Sequence, residues 1–144
     1  RSLETVSLRM QAAFDGAAKV AAFLKDHPKV EKVRYLGFLE PGSRDHTVHH
    51  RQSGEHYGST FAFDVTDGQE GAFRMLNALK VVKLAVSLGG TETLICHPGS
   101  TTHSGVDPAL RERLKFGPGM VRVSIGIEHP DDLIADFEQA LSHV

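Results

Sequence analysis

The sequence predicts an α/β domain of the α+β kind: a small, mainly antiparallel sheet with helices on one face. Three observations predict it. Several short segments alternate apolar with polar or small residues, as half-buried strands do. Three longer segments repeat apolar residues at helical spacing. Two further sites carry helix-start signals, Asp107-Pro108 and Pro130-Asp131-Asp132, with an acid at the cap or first turn and proline at the first helical position.

Taken in order, residues 3–26 read as a helix, with Val6, Met10, Ala13, Ala17, Ala21 and Leu24 on one stripe, ended by His27-Pro28 because proline disfavours a helical residue before it. Residues 30–36 read as a strand in which Val33 and Tyr35 alternate with Lys32 and Arg34. The stretch 37–58 is the least regular, and its polar segment DHTVHHRQ reads as no more than a helical turn. Residues 59–65 form a strand that turns inward Phe61, Phe63 and Val65, and Asp67-Gly68 turns the chain into a helix over about 69–79, with Ala72, Phe73, Leu76 and Leu79 on one face. Residues 82–88 are expected as a strand with Val82, Leu84, Val86 and Leu88 on one face, broken by Gly89-Gly90. A short apolar run at 92–96 follows, then the loop HPGSTTHSG and a helix from Pro108 that stops by Gly117. Residues 120–127, MVRVSIGI, are the clearest strand: Val121, Val123, Ile125 and Ile127 face one way, Arg122, Ser124 and Gly126 the other. The last helix buries Leu133, Ile134, Phe137, Ala140 and Leu141. There is no internal repeat.

The totals bound the function. A chain of 144 residues suits one domain. Its 40% hydrophobic and 24% charged residues are ordinary for a globular protein. A net charge of −2 does not suggest nucleic acid or an anionic membrane as partner, and no run approaches the ~18 apolar residues of a membrane span. The opening RSLETVSLRM lacks the apolar region of a signal peptide. An opening at Arg1, within a helical pattern and without Met, reads as a fragment. The lone Cys96 rules out an internal disulfide, fits a reducing cytoplasm, and is expected as a small core residue in the run TLICH.

Chemistry concentrates on one predicted sheet face. Ala85 and Ser87 on one strand, with Arg122, Ser124 and Gly126 on another, are small or polar and leave room for something to approach. Arg122 offers a planar fork that fits a carboxylate; the alternative is an arginine on a solvated face paired with an acid. Ser87 with Leu88-Gly89-Gly90 offers a hydroxyl and backbone N–H groups, or is simply a strand end with a glycine turn. His46, His49, His50 and His56 crowd one segment, and His97 and His103 bracket a loop. No acid or cysteine stands at matching ligand spacing, so exposed loop histidines are expected rather than a metal site. Nucleophile-elbow, phosphate-loop and dinucleotide-binding patterns are absent.

The stretches LAVSLGGTETLICHPGSTTHSGV (84–106) and GMVRVSIGIEHPDDLIADFEQAL (119–141) resemble the Cys/Met-metabolism pyridoxal-phosphate (PLP) enzymes, which include methionine γ-lyase, cystathionine γ-synthase, γ-lyase and β-lyase, and the homoserine sulfhydrylases. LRMQAAFDGAAKVAAFLKDHPKVEKVRYLG (8–37) is similar to that family's long helix and following strand, and the resemblance is weakest at 38–57. It implies a fold-type I enzyme of which residues 1–144 are the single C-terminal domain. The large N-terminal domain bearing the PLP lysine would be absent. The family's lysine sits in a Ser-x-Thr-Lys setting that Lys19, Lys25, Lys29, Lys32, Lys80, Lys83 and Lys115 all lack. The chain alone is therefore expected to be inactive and to bind no PLP, with no catalytic residue of its own.

Carried over residue by residue, Arg122 matches the arginine that binds the substrate's α-carboxylate and Ser87 the serine beside it. Thr102 and His103 match a Thr-His loop with a structural or supporting role. Val86 stands where the cystathionine γ-enzymes carry glutamate and methionine γ-lyases carry valine, which implies an uncharged thioether or ester substrate. The resemblance therefore implies PLP-dependent γ-elimination or γ-replacement on a sulfur amino acid, methionine γ-lyase-like. Cystathionine γ-synthase, γ-lyase and homoserine sulfhydrylase are the alternatives. In the family such enzymes are cytoplasmic homotetramers. From a different class, a stand-alone small-molecule-binding module would fit the same elements, as would an inactive remnant.

Overall fold

The computed structural model describes residues 3–144; the opening at Arg1 lies outside them. Five strands form one sheet in the order β1-β2-β5-β4-β3: β1 (Val30–Arg34), β2 (Thr60–Val65), β3 (Lys83–Leu84), β4 (Leu94–Cys96) and β5 (Met120–Ser124). Every pairing is antiparallel except β3 with β4. The fold is thus the mixed α/β, mainly antiparallel sheet that the alternation predicts. Among the described residues no helix is long and apolar enough to cross a membrane.

Among the described residues five α-helices accompany the sheet: α1 (Val6–Asp26), α2 (Arg44–Ser53), α3 (Gly68–Ala78), α4 (Pro108–Arg113) and α5 (Pro130–Leu141). The core forms where α1, α3 and α5 meet one sheet face. Phe61, Phe63 and Val65 of β2 and Val121, Val123 and Ile125 turn into it, against Ala17, Val20 and Leu24 of α1, Met75 and Leu76 of α3, and Leu133 and Phe137 of α5. Close approach of α1 needs Gly16, since a Cβ there would stand 3.3 Å from Ile125 Cγ2. The opposite sheet face carries no helix of this core, and it holds Ala62, Arg122 and Ser124.

The polar segment expected as a single turn is instead the ten-residue α2. The Ser43 hydroxyl accepts from His46 N at 3.2 Å, and Gly54, at φ 60°, ends the helix. None of its residues is buried, so hydrophobic periodicity had little to report there.

The expected strand over 82–88 is corrected to the two residues of β3. Its partner β4 is three residues long, and the ladder ends once Lys83 N reaches Thr93 O and Ala85 N reaches Ile95 O. Val82 is buried, but Leu84, Val86 and Leu88 are 61, 53 and 56% exposed. The single apolar face expected from their alternation is therefore not formed: beyond Leu84 the chain is irregular. Likewise Phe73 and Ile127 do not enter the core; they are 37 and 46% exposed.

One buried acid holds the approach to β3. Asp136 of α5 is 4% exposed, and its carboxylate accepts N–H bonds from Lys80 at 2.9 Å, Val81 at 2.8 Å and Val82 at 2.9 Å. Gln139 Nε2 donates to the same carboxylate and to Ala78 O. Hydrogen bonds to a charged acceptor contribute roughly 1.5–3 kcal/mol each, and water at the exposed ends of this turn offsets part of the loss, so Asp136→Ala should lower the unfolding free energy by about 2–4 kcal/mol. Denaturant titration checks this; a loss below about 1 kcal/mol would remove Asp136 from that role.

Candidate functional site

β5 builds the site. In a strand, successive side chains point to opposite faces. With Val121 and Val123 fully buried, Arg122 and Ser124 must face the helix-free side. Arg122 is flanked across the sheet by Ala62 of β2 and Cys96 of β4, two small residues that leave its long side chain room. Cys96 itself is buried, as expected of a small core residue.

The guanidinium is fixed by backbone. Arg122 Nη2 donates to Val86 O at 2.7 Å and to Ser87 O at 3.0 Å. Both protons of that nitrogen are thereby used, leaving Nη1 and Nε. Nε is buried and has no partner. Among the described residues no carboxylate pairs with Arg122, whereas Arg34 is paired with Asp64 and Arg74 with Asp67. Arg111 also binds carbonyls, but its Nε is used, on Val106 O at 3.1 Å, and its Nη2 holds His103 O and Ser104 O. Arg111 is a loop clamp; Arg122 is a clamp with donors to spare.

The structure therefore brings Arg122, Val86 and Ser87 together. Ser87 lies on an irregular turn rather than a strand, and both it and Val86 are exposed. The turn lies along β5. Gly89 N donates to Ser124 Oγ at 2.9 Å, and Ile127 N donates to Thr91 O at 2.9 Å. Beyond it, Glu128 accepts from Thr93 N at 2.6 Å and from Thr93 Oγ1 at 2.7 Å, while Gly126 N donates to Thr93 Oγ1 at 2.9 Å. A side chain at Gly126 has no room: its Cβ would meet Thr91 O at 2.3 Å.

Thr102 and His103 sit apart from this cluster in their bonding. Thr102 Oγ1 lies 2.7 Å from His103 Nδ1, both exposed. Their loop is anchored by His97, which is 3% exposed. Its Nε2 lies 2.8 Å from Pro118 O and its Nδ1 3.1 Å from Ser100 N. A carbonyl only accepts and an amide only donates, so His97 carries its proton on Nε2. The histidines of the 46–56 segment are spread over aromatic contacts: His46 on His50, His49 on Tyr57, His56 near Phe14. Among the described residues no group of three or more His, Cys, Asp or Glu is arranged to hold a metal ion.

Sequence reading missed Thr93, Asp136, Arg111 and Glu128. Only Glu128 had a signal: it continues the period-two face Arg122, Ser124, Gly126 past the end of the strand.

Fold and site together define a small α/β domain in which an arginine, on the sheet face opposite the core helices, is pinned by two carbonyls. The chain belongs to the Cys/Met metabolism PLP-dependent enzyme family, whose model matches residues 1–142. It is 41% identical to an L-methionine gamma-lyase of Fusobacterium nucleatum subsp. polymorphum, over 100% of this chain and 36% of that protein. It is 36% identical to an O-succinylhomoserine sulfhydrylase of Pseudomonas aeruginosa, over 99% of this chain and 34% of the relative. A crystal structure of cystathionine gamma-lyase from Lactobacillus plantarum, complexed with L-serine, superposes with a TM-score of 0.88 at 33% identity, covering 100% of this chain and 37% of that one. The chain thus spans about a third of the length of the relatives it matches.

Proposed function

We propose that this domain binds the α-carboxylate of a sulfur amino acid within a larger PLP-dependent enzyme that eliminates or replaces a group at Cγ, in the manner of a methionine γ-lyase. The observation that carries the reading is Arg122: a fixed guanidinium with no acid partner among the described residues and a buried, unsatisfied Nε. A buried polar group without a partner costs free energy, and an incoming carboxylate supplies the missing acceptor with a charge-assisted bond.

Each residue then has a task. Arg122 receives the carboxylate. Ser87, on the turn that Arg122 itself holds, offers its hydroxyl to the same anion. Val86 lines the side where the distal part of the substrate passes, and its apolar side chain favours an uncharged thioether. By fixing one end of the substrate, these residues orient the reacting bonds and hold that orientation through the reaction.

The lysines of this chain do not fit a covalently held cofactor: Lys29 is half-buried and the other six are exposed. The cofactor therefore belongs with the part of the enzyme outside residues 1–144, where it supplies the electron sink for loss of the Cα proton. In this reading residues 1–144 are the C-terminal domain of a cytoplasmic homotetramer. The exposed apolar side chains of Leu84, Val86 and Leu88 support that arrangement, since packing against the remaining domain would cover them.

Two outcomes test the reading in the full-length enzyme. Arg122→Ala should lower kcat/KM by about 10- to 100-fold or more, one or two charge-assisted bonds at ~1.4 kcal/mol per tenfold, while the cofactor absorbance is retained. Arg122→Lys should recover little, because it keeps the charge and loses the fork. Steady-state kinetics with unchanged activity in Arg122→Ala would remove the carboxylate assignment. Val86→Glu should shift the methionine-to-cystathionine ratio of kcat/KM towards cystathionine by roughly tenfold, about 1.4 kcal/mol. A wild-type enzyme that already prefers cystathionine would replace the thioether reading with the cystathionine one.

A further inference from the structure

The turn that carries Val86 and Ser87 has little backbone support of its own. Ladder pairing with β4 ends at Ala85 N, and main-chain bonding to β5 resumes only where Ile127 N meets Thr91 O. Val86, Ser87, Leu88, Gly89 and Gly90 are all exposed, and Gly89 takes a φ of +74°. What locates this stretch is one face of β5 and its continuation. Arg122 holds the carbonyls of 86 and 87, and Ser124 accepts from Gly89 N. Gly126 N and Glu128 together fix Thr93. Arg122 and Ser124 stand two residues apart on β5, at the strand's spacing of roughly 6.6–6.8 Å, and Gly126 and Glu128 follow past its end.

From this, and resting on the carboxylate reading of Arg122, we infer that Ser124 and Thr93, with Glu128 behind them, are positioning residues for substrate binding. They set the register of the 86–90 turn on β5, and so set where Ser87 stands relative to the free donors of Arg122. Ser124 is 1% and Thr93 0% exposed, so no water stands ready to replace either hydroxyl in place. Thr93 is doubly engaged. Its hydroxyl donates to Glu128 Oε2 and accepts from the Gly126 amide, while its own amide donates to Glu128 Oε1. Arg122 also depends on the turn: with the carbonyls of 86 and 87 displaced, its Nη2 loses both partners and the guanidinium is free to rotate away from the carboxylate position. A substrate carboxylate is bound before and during reaction alike, so loosening its seat raises KM more than it lowers kcat.

The test uses the full-length enzyme. Ser124→Ala removes one oxygen and Thr93→Val is nearly isosteric; each should raise KM for the amino-acid substrate about 3- to 10-fold with kcat within about twofold, the scale of one hydrogen bond. Thr93→Ser, which keeps the hydroxyl, should return KM to within about twofold of wild type, which a packing role for the Thr93 methyl would not predict. Amide exchange of the peptide spanning 86–93 should quicken in Ser124→Ala and Thr93→Val, and not in Thr93→Ser. If Arg122→Ala impairs the enzyme but Ser124→Ala leaves both KM and exchange unchanged, the positioning role is wrong and the carboxylate reading stands. A loss confined to kcat also overturns it. If Arg122→Ala itself has no effect, the carboxylate reading fails, and the positioning role fails with it.

Discussion

Everything at this site depends on the alternation of β5. Val121, Val123 and Ile125 are buried to within 1% and pack against α1, α3 and α5. Burying each such side chain contributes about 1.5–3 kcal/mol. A one-residue slip would exchange the faces, driving Arg122 into the aromatic core near Phe63 and Phe137 and exposing the valines. The core thus holds the register, and the register holds Arg122 on the open face. Because β5 is the middle strand of five, with β2 and β4 on either side, that placement is braced from both directions. The binding face inherits its precision from packing that touches no ligand.

The same strand explains how an exposed turn can still be precise. Loops usually lose definition where their backbone groups turn to water. The 86–90 turn instead has its carbonyls and one amide bound to side chains of a rigid strand. Arg122 orders the turn with Nη2 and leaves Nη1 and Nε without an acceptor among the described residues. The buried, unpartnered Nε is a local cost that the fold carries, and such a cost is recovered when an acceptor binds. On the carboxylate reading such a site would be preorganised, since the donor is ordered before the anion comes.

What was legible in the sequence follows from the same physics. Elements buried on one face announce themselves: α1, α5, β2 and β5 were readable from spacing, and Arg122 fell on the correct face because period two admits no other answer. Elements held by polar contacts did not announce themselves. The α2 helix buries no residue, so it carries no apolar stripe, and only its end signals, Ser43 and Gly54, mark it. The 82–88 run alternates as a strand should, yet only two residues pair, because partner length and not propensity limits a ladder. Asp136 is separated from the amides it binds by more than fifty residues, and no local pattern marks such a pairing. The family resemblance pointed to Ser87 and Val86; the geometry adds that their carbonyls, not their side chains, are what Arg122 grips.

That last distinction bears on how one architecture serves several reactions. At position 86 the backbone oxygen holds the arginine while the side chain stays 53% exposed. On the proposed reading, changing that side chain would alter what the substrate's far end meets without touching the backbone bond that holds Arg122. Backbone would then seat the amino acid while the side chain met its sulfur substituent, and the two tasks would be separable by a few ångströms of chain. Matched relatives named for elimination from methionine and for sulfhydrylation of succinylhomoserine are compatible with such a division. That division would put the generic half of recognition on β5, where the core enforces it, and the selective half on a turn that packing leaves alone.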